Sequence, residues 1–107
     1  MVNLKLKLKQ NKLTIGSWIT LGHPSIAEIM ARAGFDWLTV DMEHSAITLQ
    51  QAQQLIQVIE LCGVIPLVRV GENNSNLIKR GMDAGAHGVI VPMVNTKEDA
   101  IKANFME

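Results

Sequence analysis

Three ionisable side chains, Asp41, Glu43 and His44, fall within four positions at the end of the apolar run Phe35-Asp36-Trp37-Leu38-Thr39-Val40. A carboxylate next to an imidazole can orient that ring, and a neutral imidazole can move a proton near neutral pH. A buried strand whose carboxyl end carries such a group is where α/β folds place their chemistry. A solvated loop carrying the same charges is equally consistent with the spacing. A second charged group, Arg69, ends another apolar run, Val64-Ile65-Pro66-Leu67-Val68. A guanidinium stays charged and offers a rigid fork of donors, so it suits an oxyanion; at a strand end it forms a structural ion pair just as readily.

The elements that would position these groups repeat along the chain. The basic run Leu4-Lys5-Leu6-Lys7-Leu8-Lys9 alternates like a strand, but could equally be a helix covering one end of the fold. Residues 13–21 read as a first strand, broken by Gly22-His23-Pro24-Ser25. Pro24 suits a first helical turn, with Ile26, Ile29, Met30 and Ala33 as the apolar face and Gly34 as the stop. The run ending at Asp41 is the second strand. Thr48 with Gln51 makes a capping box for a helix whose face is Ala52, Leu55, Ile56 and Ile59. Gly63 ends it, and a third strand spans 64–70. Leu77, Ile78 and Met82 belong to a third helix closed by Gly85. A fourth strand, 88–91, is followed by a helix capped at Asn95 or Thr96 and running to a ragged end at Asn104-Phe105-Met106-Glu107.

Ala31-Arg32-Ala33-Gly34-Phe35-Asp36 echoes Met82-Asp83-Ala84-Gly85-Ala86-His87, and Leu61-Cys62-Gly63 marks a third helix-to-strand junction. About four consecutive βα units imply parallel strands with right-handed crossovers, covered on both faces. The class is α/β, in one domain spanning 1–107.

The 107 residues balance 10 Lys and Arg against 10 Asp and Glu, so no basic footprint for nucleic acid is present. Tyr is absent and aromatics are few, which argues against a base-stacking surface. The single Cys62 excludes an internal disulfide and suits a reducing compartment. No apolar run is long enough to cross a bilayer and no leader pattern opens the chain, so a cytoplasmic protein without a membrane partner is expected. No Lys ends a strand, which speaks against Schiff-base chemistry. Gly71-Glu72-Asn73 and Gly85-Ala86-His87-Gly88 have neither phosphate-loop nor dinucleotide spacing.

Gly16-Ser17-Trp18, Ala33-Gly34-Phe35-Asp36-Trp37, Asp41-Met42-Glu43-His44, Val68-Arg69-Val70, and Asp83-Ala84-Gly85-Ala86 through Val91-Pro92-Met93 resemble the HpcH/HpaI aldolase family, of the 2-dehydro-3-deoxyglucarate and 4-hydroxy-2-oxoheptanedioate aldolase type. The resemblance runs from about residue 3 to about residue 102. It implies a TIM (β/α)8 barrel of which this chain is the first half. It implies a metal-dependent class II aldolase that cleaves or forms 4-hydroxy-2-oxo acids, giving pyruvate and an aldehyde. The divalent cation, Mg²⁺ or Mn²⁺, would be held by carboxylates of the second half, not by this chain.

The resemblance makes His44 the general base, and Arg69 the group that stabilises the enolate oxygen and holds the keto acid. It points to Asp83 as the carboxylate that makes His44 more basic, although the helical parse puts Asp83 near a helix end, toward the wrong face for His44. Asp41 would serve the aldehyde side of a site, its own or a neighbouring subunit's. Trp18 would wall the pocket; core packing is the alternative. One carboxylate beside one imidazole is too few for a metal, so Glu43 is expected to support by hydrogen bonding. His23 and His87 are expected only as hydrogen-bonded loop residues. The alternative function is a catalytically silent half-barrel that serves as a structural or self-associating module. A half-barrel exposes two sheet edges and apolar surface, so a homo-oligomer is expected in either case.

Overall fold

The computed structural model describes residues 3–104; the expected ragged end at Phe105 to Glu107 lies outside them. Its elements run α1 (Leu4–Lys9), β1 (Gly16–Ile19), α2 (Pro24–Ala31), β2 (Trp37–Asp41), α3 (Leu49–Leu61), β3 (Ile65–Arg69), α4 (Ser75–Asp83), β4 (Gly88–Ile90) and α5 (Lys97–Asn104). The four strands lie in chain order and every neighbouring pair is parallel. Strands adjacent in sequence and in space, each followed by a helix, are the arrangement of half a (β/α)8 barrel. Among the described residues no helix is long and apolar enough to cross a membrane.

Local signals account for most boundaries. The Thr48 hydroxyl accepts from the Gln51 backbone N–H while the Gln51 side chain accepts from the Thr48 backbone N–H, so two free donors at the start of α3 are satisfied reciprocally. Asn74 accepts from the backbone N–H groups of Asn76 and Leu77 and so starts α4. Thr96, rather than Asn95, caps α5 through the Asp99 N–H. Gly34, Gly63 and Gly85, at three successive helix-to-strand junctions, hold positive φ values of 99°, 81° and 107°. That left-handed turn is open to glycine without steric cost.

Strand alternation sorts the sheet into two faces. Leu38, Val40 and Val68 point to the helices and form the core with Ala27, Ala31, Ala52, Leu55, Ile56 and Ile59. The expected face of α3 is therefore correct. Of the expected face of α2, Ile26 and Met30 pack against the core, whereas Ile29 is 68% exposed and Ala33 is exposed; the fully buried residues are Ala27 and Ala31. In α4 the buried residues are Ile78 and Gly81, and a Cβ on Gly81 would meet Val68 at 2.9 Å.

The opposite face carries Gly16, Trp18, Trp37, Thr39, Asp41, Ile65, Leu67, Arg69, Gly88 and Ile90, placed side by side by the ladder register. The Trp37 ring occupies the place where a Cβ on Gly16 would sit, 1.9 Å from its nearest atom, so residue 16 must be glycine. The open choice at the N-terminus resolves as a helix despite its period-2 pattern. Asn3 caps it by accepting from the Leu6 N–H, and Lys7 reaches Asp36 at 3.0 Å. The Ile15 backbone N–H and, next, the Lys7 ammonium hold the Asp36 carboxyl below its usual range. β1 is shorter than the expected 13–21, running only from Gly16 to Ile19, and Leu13 is exposed.

Thr39, at the centre of β2, is fully buried and its hydroxyl has no partner among the described residues. An isosteric methyl removes that unsatisfied group. Thr39→Val is therefore expected to leave the melting temperature unchanged or raise it, by up to about 1 kcal/mol of stability; a clear loss on thermal unfolding would show that the hydroxyl has a partner.

Candidate active site

Asp41 and Arg69 end neighbouring strands, β2 and β3, and are Cα partners in the register. Both side chains therefore stand on the face away from the helices, at the carboxyl end of the sheet. The guanidinium meets the carboxylate as a fork: Nε donates to Oδ1 at 3.1 Å and Nη2 to Oδ2 at 2.6 Å. Asp41 is 2% exposed. Its Oδ1 also accepts the backbone N–H groups of Glu43 at 2.9 Å and His44 at 3.1 Å. A carboxylate bonding backbone two and three residues on is an Asx turn, and it sets the path of the loop after β2. The Ser45 hydroxyl donates to the Asp41 carbonyl and its oxygen accepts from the Ile47 N–H, closing the same loop.

These donors act on the charge of Asp41. The Arg69 guanidinium first, and then the His44 and Glu43 N–H groups, lower its pKa from 3.8 to about 2, against the opposing effect of burial. Arg69 is in turn held charged, chiefly by Asp41.

Glu43 links this pair to the imidazole. Its Oε1 lies 3.4 Å from Arg69 Nε and 3.3 Å from His44 Nε2, and its side chain is only 18% exposed. His44 itself reaches outward, with its side chain 70% exposed. Above the guanidinium lies Trp18, whose ring centroid is 4.4 Å from Arg69 Cζ. The Arg69 side chain thus lies across β2 from β3 to the β1 residue on the far side. Five side chains, Trp18, Asp41, Glu43, His44 and Arg69, form one connected group.

Four of the five expected site residues, Trp18, Asp41, His44 and Arg69, come together here. Asp83 does not join them. It closes α4, exposed in the outer layer, in a groove shared with Gln50, Gln53 and Arg80. One copy of the chain therefore does not bring Asp83 to His44; the carboxylate beside that imidazole is Glu43. The adjacent position of Glu43 was the available signal. Asp41, expected on the aldehyde side, is engaged by Arg69 and the two loop N–H groups. The other two histidines behave as loop residues: His23 Nδ1 accepts from the Ser25 N–H as the cap of α2, and His87 lies 2.9 Å from Glu60.

These residues do not make a metal site. Among the described residues no three His, Cys, Asp or Glu side chains gather as a ligand set. Asp41 has both oxygens occupied by N–H donors and Glu43 is shared between Arg69 and His44.

The chain matches the HpcH/HpaI aldolase/citrate lyase family over residues 14–106. It is 41% identical over 93 residues to a 2-dehydro-3,6-dideoxy-6-sulfogluconate aldolase of Pseudomonas putida, covering 87% of this chain and 36% of that protein. It is 40% identical over 101 residues to a 4-hydroxy-2-oxovalerate aldolase of Novosphingobium aromaticivorans, covering 92% and 38% respectively. Among solved structures, an HpcH/HpaI aldolase/citrate lyase family protein from Burkholderia cenocepacia superposes with a TM-score of 0.87 at 34% identity, over 96% of this chain and 41% of that one. The chain thus spans little more than a third of the length of the curated relatives it matches. Matched along nearly its whole length by sequence and by fold, the chain belongs to the HpcH/HpaI aldolase/citrate lyase family.

Proposed function

We propose that this chain supplies the acid–base and oxo-acid-binding part of a class II aldolase site in the cytoplasm, one that cleaves or forms 4-hydroxy-2-oxo acids. The observation that carries this reading is the connected set His44–Glu43–Arg69 at the carboxyl ends of β2 and β3. Relatives named as aldolases of 4-hydroxy-2-oxovalerate and of a 2-dehydro sugar acid support the substrate class.

In the cleavage direction His44 takes the proton from the C4 hydroxyl. The C3–C4 bond breaks to leave an aldehyde, and its electron pair passes to the C2 carbonyl as an enolate. Arg69 faces the oxygen on which that negative charge collects, where a preorganised cation lowers the barrier most. Protonation at C3 then gives pyruvate. Glu43 holds the imidazole beside the guanidinium, and Asp41 holds the loop on which both Glu43 and His44 stand. Asp83 has no part in this reading within one copy. The divalent cation of the family would need donors other than these, and none of the steps assigned to these residues runs through it.

The test is pyruvate release from 4-hydroxy-2-oxovalerate, with and without added Mg²⁺ or Mn²⁺. Pyruvate and an aldehyde formed in equal amounts are expected; no release in any of these conditions would contradict activity of the chain alone. A second reading is favoured by one feature of the fold. β1 and β4 are each paired on one side only, and the face away from the helices leaves Trp18 39% exposed. A half-barrel of this kind can close against a second copy, and sedimentation that finds only monomer would remove that reading.

A further inference from the structure

Trp18 and Asp41 between them leave Arg69 with one free edge. The Nε–Nη2 edge of the guanidinium is taken by the Asp41 carboxylate. The guanidinium also lies over the Trp18 indole, with Cζ 4.4 Å from the ring centroid. Nη1 donates to nothing among the described residues, and Nη2 has two N–H groups, of which Asp41 needs one. The side chain keeps 24% of its surface exposed, so this remaining edge is accessible. A planar cation fixed along one edge and lying over an indole can receive a ligand only through the Nη1–Nη2 edge, with its oxygens close to the guanidinium plane.

We propose that Trp18 is a positioning residue: its indole holds the Arg69 guanidinium so that the Nη1–Nη2 edge presents two parallel N–H donors to the carboxylate and 2-oxo oxygens of a planar oxo acid. This rests on the reading of Arg69 as the group that receives the oxo acid. Asp41, with Glu43 3.4 Å from Nε, fixes the Nε–Nη2 edge but leaves the guanidinium free to rock about it. An aromatic ring beneath the cation removes the remaining freedom through cation–π attraction. A lysine at 69 would lack both the plane and the fork, so this arrangement is specific to arginine.

The test uses the full chain labelled with ¹⁵N, in which Arg69 is one of three arginines, with Arg32 and Arg80. Oxalate, a planar mimic of the pyruvate enolate, is the probe. In the unaltered protein the Arg69 Nε–H signal, assigned by its loss in Arg69→Lys, should exchange slowly with water. Added oxalate should shift the Arg69 Nη signals and leave the Nε–H bonded to Asp41. In Trp18→Leu the Nε–H exchange should quicken and the oxalate dissociation constant should rise about fivefold, the size of one cation–π contact at a half-exposed site. Trp18→Phe should restore both toward the original values. Arg69 signals and oxalate affinity that are the same in Trp18→Leu as in the unaltered protein would overturn the proposal, as would a Trp18→Phe variant that behaves like Trp18→Leu. Absence of oxalate binding in the unaltered protein would instead contradict the reading of Arg69 as the oxo-acid group. In that case the exchange of the Arg69 Nε–H alone decides whether Trp18 positions it.

Discussion

Asp41→Ala is expected to destabilise the protein by about 3 kcal/mol, because it strips a partly buried guanidinium of its partner and frees two loop N–H groups at once. The cost exceeds that of an ordinary surface ion pair, since Asp41 is 2% exposed and its bonds to Arg69 form a bidentate fork. The same contacts predict a pH dependence. The carboxyl titrates at about 2 in the folded protein and near 3.8 when free of these contacts. A folded-state pKa below the unfolded one contributes stability that is complete above about pH 4 and disappears as pH falls toward 2. Its size is about 2 kcal/mol for a shift of this extent. Urea unfolding of the unaltered protein and of Asp41→Asn at pH 7 and at pH 2.5 checks both statements. The two proteins should differ by a few kcal/mol at pH 7 and by much less at pH 2.5; an equal difference at both would show that Asp41 does not carry this linkage.

The second large effect is on turnover. His44→Ala should lower kcat for 4-hydroxy-2-oxo acid cleavage by about a thousandfold, the usual contribution of a positioned base. Its thermal unfolding should hardly change, because the imidazole is 70% exposed and the loop is held by Asp41 and Ser45 rather than by the ring. Arg69→Lys should act differently. It keeps the charge but loses the fork, so KM should rise together with a fall in kcat of about a hundredfold or more. Initial rates across substrate concentration separate the two patterns. A His44→Ala variant with undiminished kcat would remove the imidazole from the mechanism.

Much of this arrangement could be read from the residues before any coordinates. Thr48 with Gln51 marks the start of α3 because the two side chains satisfy donors three residues apart, a purely local matter. Gly34, Gly63 and Gly85 mark helix ends because only the local backbone decides whether φ is positive. Thus the four βα units and the strand ends carrying Asp41 and Arg69 were legible. What was not legible depends on neighbours distant in the chain. The pairing of Asp41 with Arg69, 28 residues apart, is set by the register of β2 against β3. The Leu-Lys alternation of residues 4–9 has the period of a strand, yet an Asn3 cap and the reach of Lys7 to Asp36, 29 residues away, make it a helix. The inner face of α2 is legible only in part: Ile26 and Met30 do pack inward, but Ala27 and Ala31 are the buried residues and Ile29 faces out. Only the family likeness points to Asp83; its position at the end of an outer helix, which the helical periodicity implies, keeps it from His44 within one copy.

The most direct measurement is a crystal structure of the chain with pyruvate bound. The pyruvate carboxylate should lie within hydrogen-bond distance of Arg69 Nη1, on the sheet face away from the helices, with the Asp41 fork intact and the His44 imidazole turned toward the methyl carbon where the aldehyde would join. Pyruvate bound away from Arg69, or His44 on the opposite side of the sheet from it, would contradict the account.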